Sequence, residues 1–183
     1  MTAEVHSPPQ YLVPRAAEYA RAKHAGQTYG PDKPYSYHLE RAAGIAACSL
    51  RSDAATAAAW LHDVLENTDA TLEELERLFG YEVRAIVEAV TDSPGKNRRE
   101  RHALTYPRTR ALPLAVGVKL CDRIANVEAC REDNPGLLKM YRDEQAEFRA
   151  ALYREGEWKM LWGRLEVALK VPLLGVKNRR HAM

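Results

Sequence analysis

His62 and Asp63 are adjacent ionisable residues in a stretch of sequence that otherwise predicts a buried helix. The eight residues before them, 54–61, are apolar except for one threonine, so burying an imidazole and a carboxylate beside them is costly unless something compensates their charge. A divalent metal would compensate both groups. Glu66 and Asn67 follow Asp63 by three and four residues, which places them on the same helix face one turn later. For the dipeptide alone, the alternative is a polar surface patch at a helix end.

A second polar intrusion occurs in residues 114–130, which are otherwise strongly apolar. Lys119, Asp122 and Asn126 recur there at spacings of three and four, so they form one polar stripe on a helix that is predicted to be buried. The alternative for this stripe is a buried ion pair between Lys119 and Asp122, which proteins do use. His38 stands at the head of a further predicted helix, where a lone histidine could equally be a cap or a core residue.

The polar residues of these segments include a set that could hold one metal ion: His38, His62, Asp63 and Asp122. Two imidazoles and two carboxylates suit a first-row divalent ion such as Mn, Fe, Co, Ni or Zn, and the lack of a thiolate argues against a closed structural zinc site. Such a metal can lower the pKa of bound water and polarise a phosphoryl oxygen. The set therefore predicts hydrolysis of a phosphate ester or anhydride.

Five segments of residues 16–169 resemble, in order and spacing, the HD-domain hydrolases of the RelA/SpoT type. They are AAEYARAKHAGQ, PYSYH, AAWLHDVLENTDATLEELERLFG, VEAVTD and VKLCDRIANVE. In size the chain is similar to the small alarmone hydrolases, a group that includes the metazoan SpoT homologue. The resemblance implies an all-α helical bundle, a cofactor that is usually Mn(II), and removal of the 3′-pyrophosphate of (p)ppGpp, the alarmone of the stringent response. Related enzymes act on adenosine alarmones or on the 2′-phosphate of NADPH.

The resemblance also implies roles for particular residues. Asn126 falls where the family contacts the nucleoside, and Glu66 and Asn67 fall where it has a catalytic Glu-Asp pair. The metal ligands would be His38, His62, Asp63 and Asp122. Asn67 departs from the family because an amide cannot accept a proton from water as a carboxylate can. Either Glu66 and the metal suffice, or the activity is changed. Residues 27–30 also lack the arginine with which the family grips its nucleotide.

Charge is distributed unevenly along the chain although the net charge is only +2. Residues 96–110 carry six basic residues against one acidic residue, and residues 63–92 carry nine acidic residues against two basic ones. A basic loop near a metal would attract a polyphosphate. The predicted substrate-binding residues are Lys23, Lys96, Arg98, Lys119 and Asn126. The alternatives for the basic segment are a solvated loop or an RNA-binding patch; however, no zinc-finger spacing, aromatic interleaving or recognition helix supports nucleic-acid binding.

The bulk composition fits one globular domain, with 183 residues of which 46% are hydrophobic and 28% are charged. No apolar run could span a membrane and the first residues lack the pattern of a signal peptide, so we expect a cytoplasmic protein without a membrane partner. Three cysteines, an odd number in apolar helical segments, are expected to pack as small hydrophobic residues: Cys48, Cys121 and Cys130. The sequence leaves the oligomeric state open.

Helical periodicity predicts helices over residues 14–24, 38–50, 54–65, 81–91, 114–130, 135–153 and 158–171. Thr71 to Glu74 form a capping box for a short helix that ends at Gly80. The expected organisation is an N-terminal extension (1–13), an HD-domain phosphohydrolase bundle (14–171) and a C-terminal tail (172–183). The functional prediction is a metal-dependent phosphohydrolase of a small nucleotide, most simply a (p)ppGpp 3′-pyrophosphohydrolase. The alternatives are another nucleotide substrate and a nucleotide-binding sensor that has lost turnover.

Overall fold

The computed structural model describes residues 11–170, and this part of the chain is an all-α bundle, as the sequence predicts. One short antiparallel hairpin, β1 (Thr28–Tyr29) with β2 (Lys33–Pro34), interrupts the helices. In chain order the helices are α1 (Leu12–Lys23), α2 (Ser36–Ser49), α3 (Asp53–Leu61), α4 (Val64–Asn67), α5 (Leu72–Phe79), α6 (Tyr81–Val90), α7 (Arg98–Ala111), α8 (Pro113–Asp133), α9 (Pro135–Asp143), α10 (Gln145–Leu152) and α11 (Lys159–Lys170).

Helices α3 and α8 form the centre of the bundle, and α2 packs against both of them. Helix α3 is surrounded by α1, α2, α6 and α8. Every residue of α3 after Asp53 is buried, and its small alanines allow the neighbouring helices to approach closely. The Ser52 side chain caps α3 by accepting a hydrogen bond from the Ala55 amide at 3.1 Å. A polar residue at the end of α3 or on the inner face of α8 must therefore lie inside the bundle.

The continuous helix predicted over residues 54–65 is wrong, because the chain breaks at His62 and Asp63 between α3 and α4. The His62 ring explains the break: its Nδ1 lies 2.9 Å from the Ala59 carbonyl oxygen. In an uninterrupted helix that carbonyl would accept a hydrogen bond from the backbone amide of Asp63. The break turns both side chains toward α2 and α8 instead of leaving them about 100° apart on a helix surface.

The short helix α5 begins and ends as its sequence predicts. The Thr71 side chain accepts from the Glu74 amide at 3.2 Å, and Gly80 ends the helix with a φ of 84°, a left-handed conformation that glycine adopts without a steric cost.

The basic segment is a helix, α7, and the prediction of a loop there is wrong. Asn97 caps α7 by accepting from the Glu100 amide at 3.0 Å, and Pro107 lies within the helix. The buried face of α7 carries His102, Thr105, Tyr106 and Thr109. Because this face is polar, hydropathy shows no apolar stripe that would indicate a helix.

The single helix predicted over residues 135–153 is also wrong, since it divides into α9 and α10 at Glu144. The prediction for the cysteines holds for Cys121 and Cys130, which are buried, but not for Cys48, which is exposed; all three are free thiols. Helix α1 begins at Leu12, inside the predicted extension, whereas Pro172 and the predicted tail lie outside the described residues. Within residues 11–170, no helix is long and apolar enough to cross a membrane.

Candidate metal centre and active site

Three separate elements bring two imidazoles and two carboxylates to one point in the bundle. The first turn of α2 contributes His38, the break after α3 contributes His62 and Asp63, and α8 contributes Asp122. The two ring Nε2 atoms are 3.1 Å apart. Asp63 Oδ2 lies 3.6 Å from His38 Nε2 and 3.2 Å from His62 Nε2, and Asp122 Oδ1 lies 3.2 and 3.5 Å from the same two atoms.

This donor set fits one divalent ion. Ligands held about 2.1 Å from a shared ion lie about 3.0 to 3.4 Å apart in octahedral or tetrahedral geometry. The two ring nitrogens lie 3.1 to 3.6 Å from each other and from the two carboxylates, which is close to that range. Both rings are nearly inaccessible to solvent, with His38 and His62 only 3% and 4% exposed. Two carboxylates would balance the charge of a divalent cation in that buried setting. His38, His62 and Asp122 thus form a potential metal site, and Asp63 Oδ2 lies 3.2 Å from one of its nitrogens, His62 Nε2.

The electrostatics of the cluster favour a cation at its centre. Burial opposes a charge on His62, but the carboxylates of Asp63 and Asp122 outweigh burial and raise the pKa of His62 well above its ordinary value. Burial likewise opposes charge on the two carboxylates, and the neighbouring His62 and His38 outweigh it, so that the pKa of Asp63 and that of Asp122 are held below their usual range.

Neighbouring groups fix the orientation of the ligands. The His62 Nδ1–H donates to the Ala59 carbonyl, so Nε2 is the ring nitrogen that faces the cluster and that would bind a metal in place of its proton. Asn126 Nδ2 donates to Asp122 Oδ1 at 2.6 Å, and the Tyr35 hydroxyl donates to Asp63 Oδ2 at 2.7 Å. Such supporting hydrogen bonds hold metal ligands in place and tune their affinity.

Glu66 and Asn67, the residues predicted to act beside the metal, both line a cleft that opens over the cluster. Glu66 Oε1 accepts the Asp92 backbone amide at 2.7 Å. Partial desolvation by the cleft walls raises the pKa of Glu66 above its ordinary value. A carboxyl group with a raised pKa is better suited to accept and release protons near neutral pH. The Asn67 side-chain amide donates to the Tyr35 hydroxyl at 3.0 Å.

Three of the five predicted substrate-binding residues line the cleft, namely Arg98, Lys119 and Asn126. Lys119 Nζ donates to the Val90 carbonyl at 2.9 Å. Lys23 and Lys96 lie outside the cleft wall. The Lys23 ammonium instead pairs with Asp69 at 2.9 Å and with Glu74 at 3.4 Å, and Lys96 precedes the cap of α7. Formal charge in a sequence does not indicate where a long side chain points.

The cleft also contains residues that the sequence patterns did not indicate, namely Tyr29, Tyr35, Asp92, His102, Arg123 and Tyr141. Two of them had a usable signal, because Tyr35 precedes His38 by three residues and His102 follows Arg98 by four, each about one helical turn. Arg123 had no such signal, because the contacts that place its guanidinium are with the aromatic rings of Tyr141 and Phe148, which are distant in sequence.

Comparison with known proteins identifies the family of the chain. Residues 16–148 match the family model for the HD domain. The chain belongs to the HD domain family. A further comparison extends the likeness of this HD-domain chain to a solved structure, described as a metazoan ortholog of SpoT that hydrolyzes ppGpp. The two share a TM-score of 0.74 at 24% identity, over 88% of this chain and 96% of the other. That likeness shows a shared fold.

Two curated relatives of the HD-domain chain carry names that state an activity. A probable guanosine-3′,5′-bis(diphosphate) 3′-pyrophosphohydrolase of Synechocystis is 31% identical over 170 residues, which cover 88% of this chain and 22% of the relative. A guanosine-3′,5′-bis(diphosphate) 3′-pyrophosphohydrolase of Aquifex aeolicus is 32% identical over 81% of this chain and 22% of the relative. The chain therefore spans about a fifth of the length of these relatives.

Proposed function

We propose that this HD-domain protein is a metal-dependent phosphohydrolase that removes the 3′-pyrophosphate of (p)ppGpp-type alarmones. The observation that carries the proposal is the convergence of four side chains that could ligate a metal, His38, His62, Asp63 and Asp122, beneath a cleft with both acidic and basic walls. The names of the relatives from Synechocystis and Aquifex aeolicus support the choice of substrate.

The proposed cofactor is Mn²⁺, with another first-row divalent ion as the alternative, because nitrogen and oxygen donors without a thiolate suit several of these ions. When bound, such an ion supplies Lewis-acid stabilisation of phosphoryl charge and makes water more acidic. The residues of the chain would supply the other requirements. Glu66, with its raised pKa, would orient the attacking water and accept its proton.

The cationic side of the cleft would bind the phosphates. Arg98, Lys119 and Arg123 bring three positive charges to the cleft wall, and guanidinium groups can bind phosphate oxygens with two parallel hydrogen bonds. Arg98 Nε already donates to Glu144 at 2.8 Å, and Arg123 Nη1 donates to the same carboxylate at 3.4 Å. Glu144 thus holds both guanidiniums in place, and substrate phosphate would accept hydrogen bonds from their remaining donors.

One observation favours a second candidate, a hydrolase of the same architecture with a different nucleotide substrate. The family position for nucleoside contact is Asn126, and its side chain is already bonded at both ends in this chain. Its Oδ1 accepts from the Tyr29 hydroxyl at 2.9 Å, and its Nδ2 donates to Asp122. A nucleoside that used Asn126 would have to displace Tyr29, so base recognition could differ from that of the relatives.

A nucleotide panel tests the proposal. The protein is incubated with Mn²⁺ and ppGpp, its adenosine counterpart or NADPH, and released pyrophosphate and orthophosphate are measured separately. We expect pyrophosphate and GDP from ppGpp. Orthophosphate from NADPH without pyrophosphate from ppGpp would favour the second candidate. Tight ppGpp binding without any product would show a sensor instead of an enzyme.

A further inference from the structure

Three side chains form a hydrogen-bonded chain that ends on one of the metal ligands. Tyr35 precedes the first residue of α2, and its hydroxyl lies 2.7 Å from Asp63 Oδ2. Asn67 is the last residue of α4, and its Nδ2 lies 3.0 Å from the same hydroxyl oxygen. The Tyr35 hydroxyl therefore stands between a ligand carboxylate and a side-chain amide.

Proton counting fixes the direction of both hydrogen bonds. A phenol has one proton to donate, whereas an ionised carboxylate can only accept. The 2.7 Å contact with Asp63 therefore uses the Tyr35 proton, so the phenol oxygen can only accept from Asn67. An amide nitrogen suits that position. A carboxylate at residue 67, as the family has, could not donate to the phenol and would compete with Asp63 for its proton.

The end of α1 and the turn after it hold this chain of side chains in place. The His24 ring stacks on Tyr35 with centroids 4.6 Å apart and ring planes 8° from parallel. His24 Nδ1 contacts Gln27 Oε1 at 2.8 Å, and Gln27 Nε2 donates to the Asn67 carbonyl at 2.9 Å. His24 is only 3% exposed. Both Tyr35 and Asn67 are thereby fixed relative to the bundle before any ligand binds.

We propose that Asn67 is a positioning residue that acts on the metal centre through Tyr35: its amide directs the single Tyr35 proton onto Asp63 and so holds that carboxylate in its ligating orientation. The residue at 67 then serves the metal ligand and not the attacking water. This inference rests on the proposed function in one respect, namely that Asp63 binds a metal. It explains why an amide at this position is compatible with a working site.

A double-mutant cycle on Mn²⁺ affinity tests the inference without any substrate. Mn²⁺ binding is titrated by electron paramagnetic resonance (EPR) in the wild-type protein, Tyr35→Phe, Asn67→Ala and the double variant. Loss of a partner of a metal ligand typically lowers affinity by about 10- to 100-fold, so we expect about tenfold weaker binding in each single variant. Because Asn67 acts through Tyr35, the double variant should bind no more weakly than Tyr35→Phe. The EPR spectrum of bound Mn²⁺ should also change alike in both single variants.

Tyr153→Phe is the matched control, since it removes a phenol from the start of the loop between α10 and α11, and Mn²⁺ affinity should not change. Circular dichroism verifies the fold of each variant. The inference would be overturned if Asn67→Ala lowered Mn²⁺ affinity equally in the wild-type protein and in Tyr35→Phe. It would also be overturned if the Mn²⁺ affinity of Asn67→Ala were within twofold of wild type. Wild-type protein that binds no Mn²⁺ would overturn it together with the metal centre. Intact Mn²⁺ binding without alarmone turnover would overturn only the proposed substrate.

Discussion

Replacement of Glu144 by glutamine should destabilise the fold by removing the anion that two guanidiniums share. Arg123 is only 4% exposed and lies 3.4 Å from Glu144 Oε2, and Arg98 lies 2.8 Å from Oε1. Removing one partner of a fully buried pair costs about 3 to 5 kcal/mol. Glu144 is 25% exposed, and Arg123 keeps its bond to the Tyr141 carbonyl. We therefore expect a smaller loss of about 2 kcal/mol in the free energy of unfolding.

At about 2 to 4 °C per kcal/mol for a chain of this size, Glu144→Gln should lower Tm by roughly 4 to 8 °C. Thermal and urea denaturation measure the change. Glu147→Gln is the matched control three residues further along the chain, because Glu147 pairs with Arg99 at 3.7 Å while their side chains are 56% and 84% exposed. An exposed pair contributes less than about 1 kcal/mol. If the two variants lose equal stability, the reasoning from burial is refuted.

Two further predictions concern the cleft. Burial, reinforced by the charge of Arg98, lowers the pKa of His102 to about 4 from an ordinary value of 6.5. Between these two pH values the unfolded chain binds a proton at residue 102 that the folded chain does not, so the free energy of unfolding should fall as pH drops from about 6.5 to 4. His102→Gln should flatten this pH dependence in urea titrations. An unchanged pH dependence in the variant would contradict the lowered pKa of His102. Tyr29→Phe removes the hydroxyl that donates to Asn126, so the nucleotide KM should change several-fold while kcat is kept; an unchanged KM would show that Asn126 does not contact the nucleoside.

Most of the candidate metal-ligating set could be predicted from sequence, because three of its four members, His62, Asp63 and Asp122, interrupt otherwise regular apolar patterns. His62 and Asp63 follow an alanine-rich buried helix, and Asp122 interrupts the apolar helix α8. Burying charge without compensation is costly, so charged residues within apolar helical segments stand out in the amino-acid sequence itself. The all-α fold was predictable for a related reason, since apolar residues recur at helical spacing in most of the helices.

The remaining features depend on contacts that a local pattern does not contain. Helix α7 was missed because it packs through polar side chains; Thr109 Oγ1, for example, donates to the Ala89 carbonyl at 2.6 Å. The break after α3 was missed because it depends on a hydrogen bond from the His62 ring to the Ala59 carbonyl, which helical periodicity does not show. Lys23 was assigned to phosphate from its charge, whereas a salt bridge to Asp69 determines where it points.

The most direct test of the central claim measures metal content and pyrophosphate release together. Wild-type protein and Asp122→Ala are stripped with a chelator, titrated with Mn²⁺ and assayed with ppGpp. The account predicts no turnover in the stripped wild-type protein, recovery that saturates at one bound Mn²⁺ per chain, and no recovery in Asp122→Ala. Pyrophosphate release by metal-free wild-type protein, or full activity in Asp122→Ala, would contradict it.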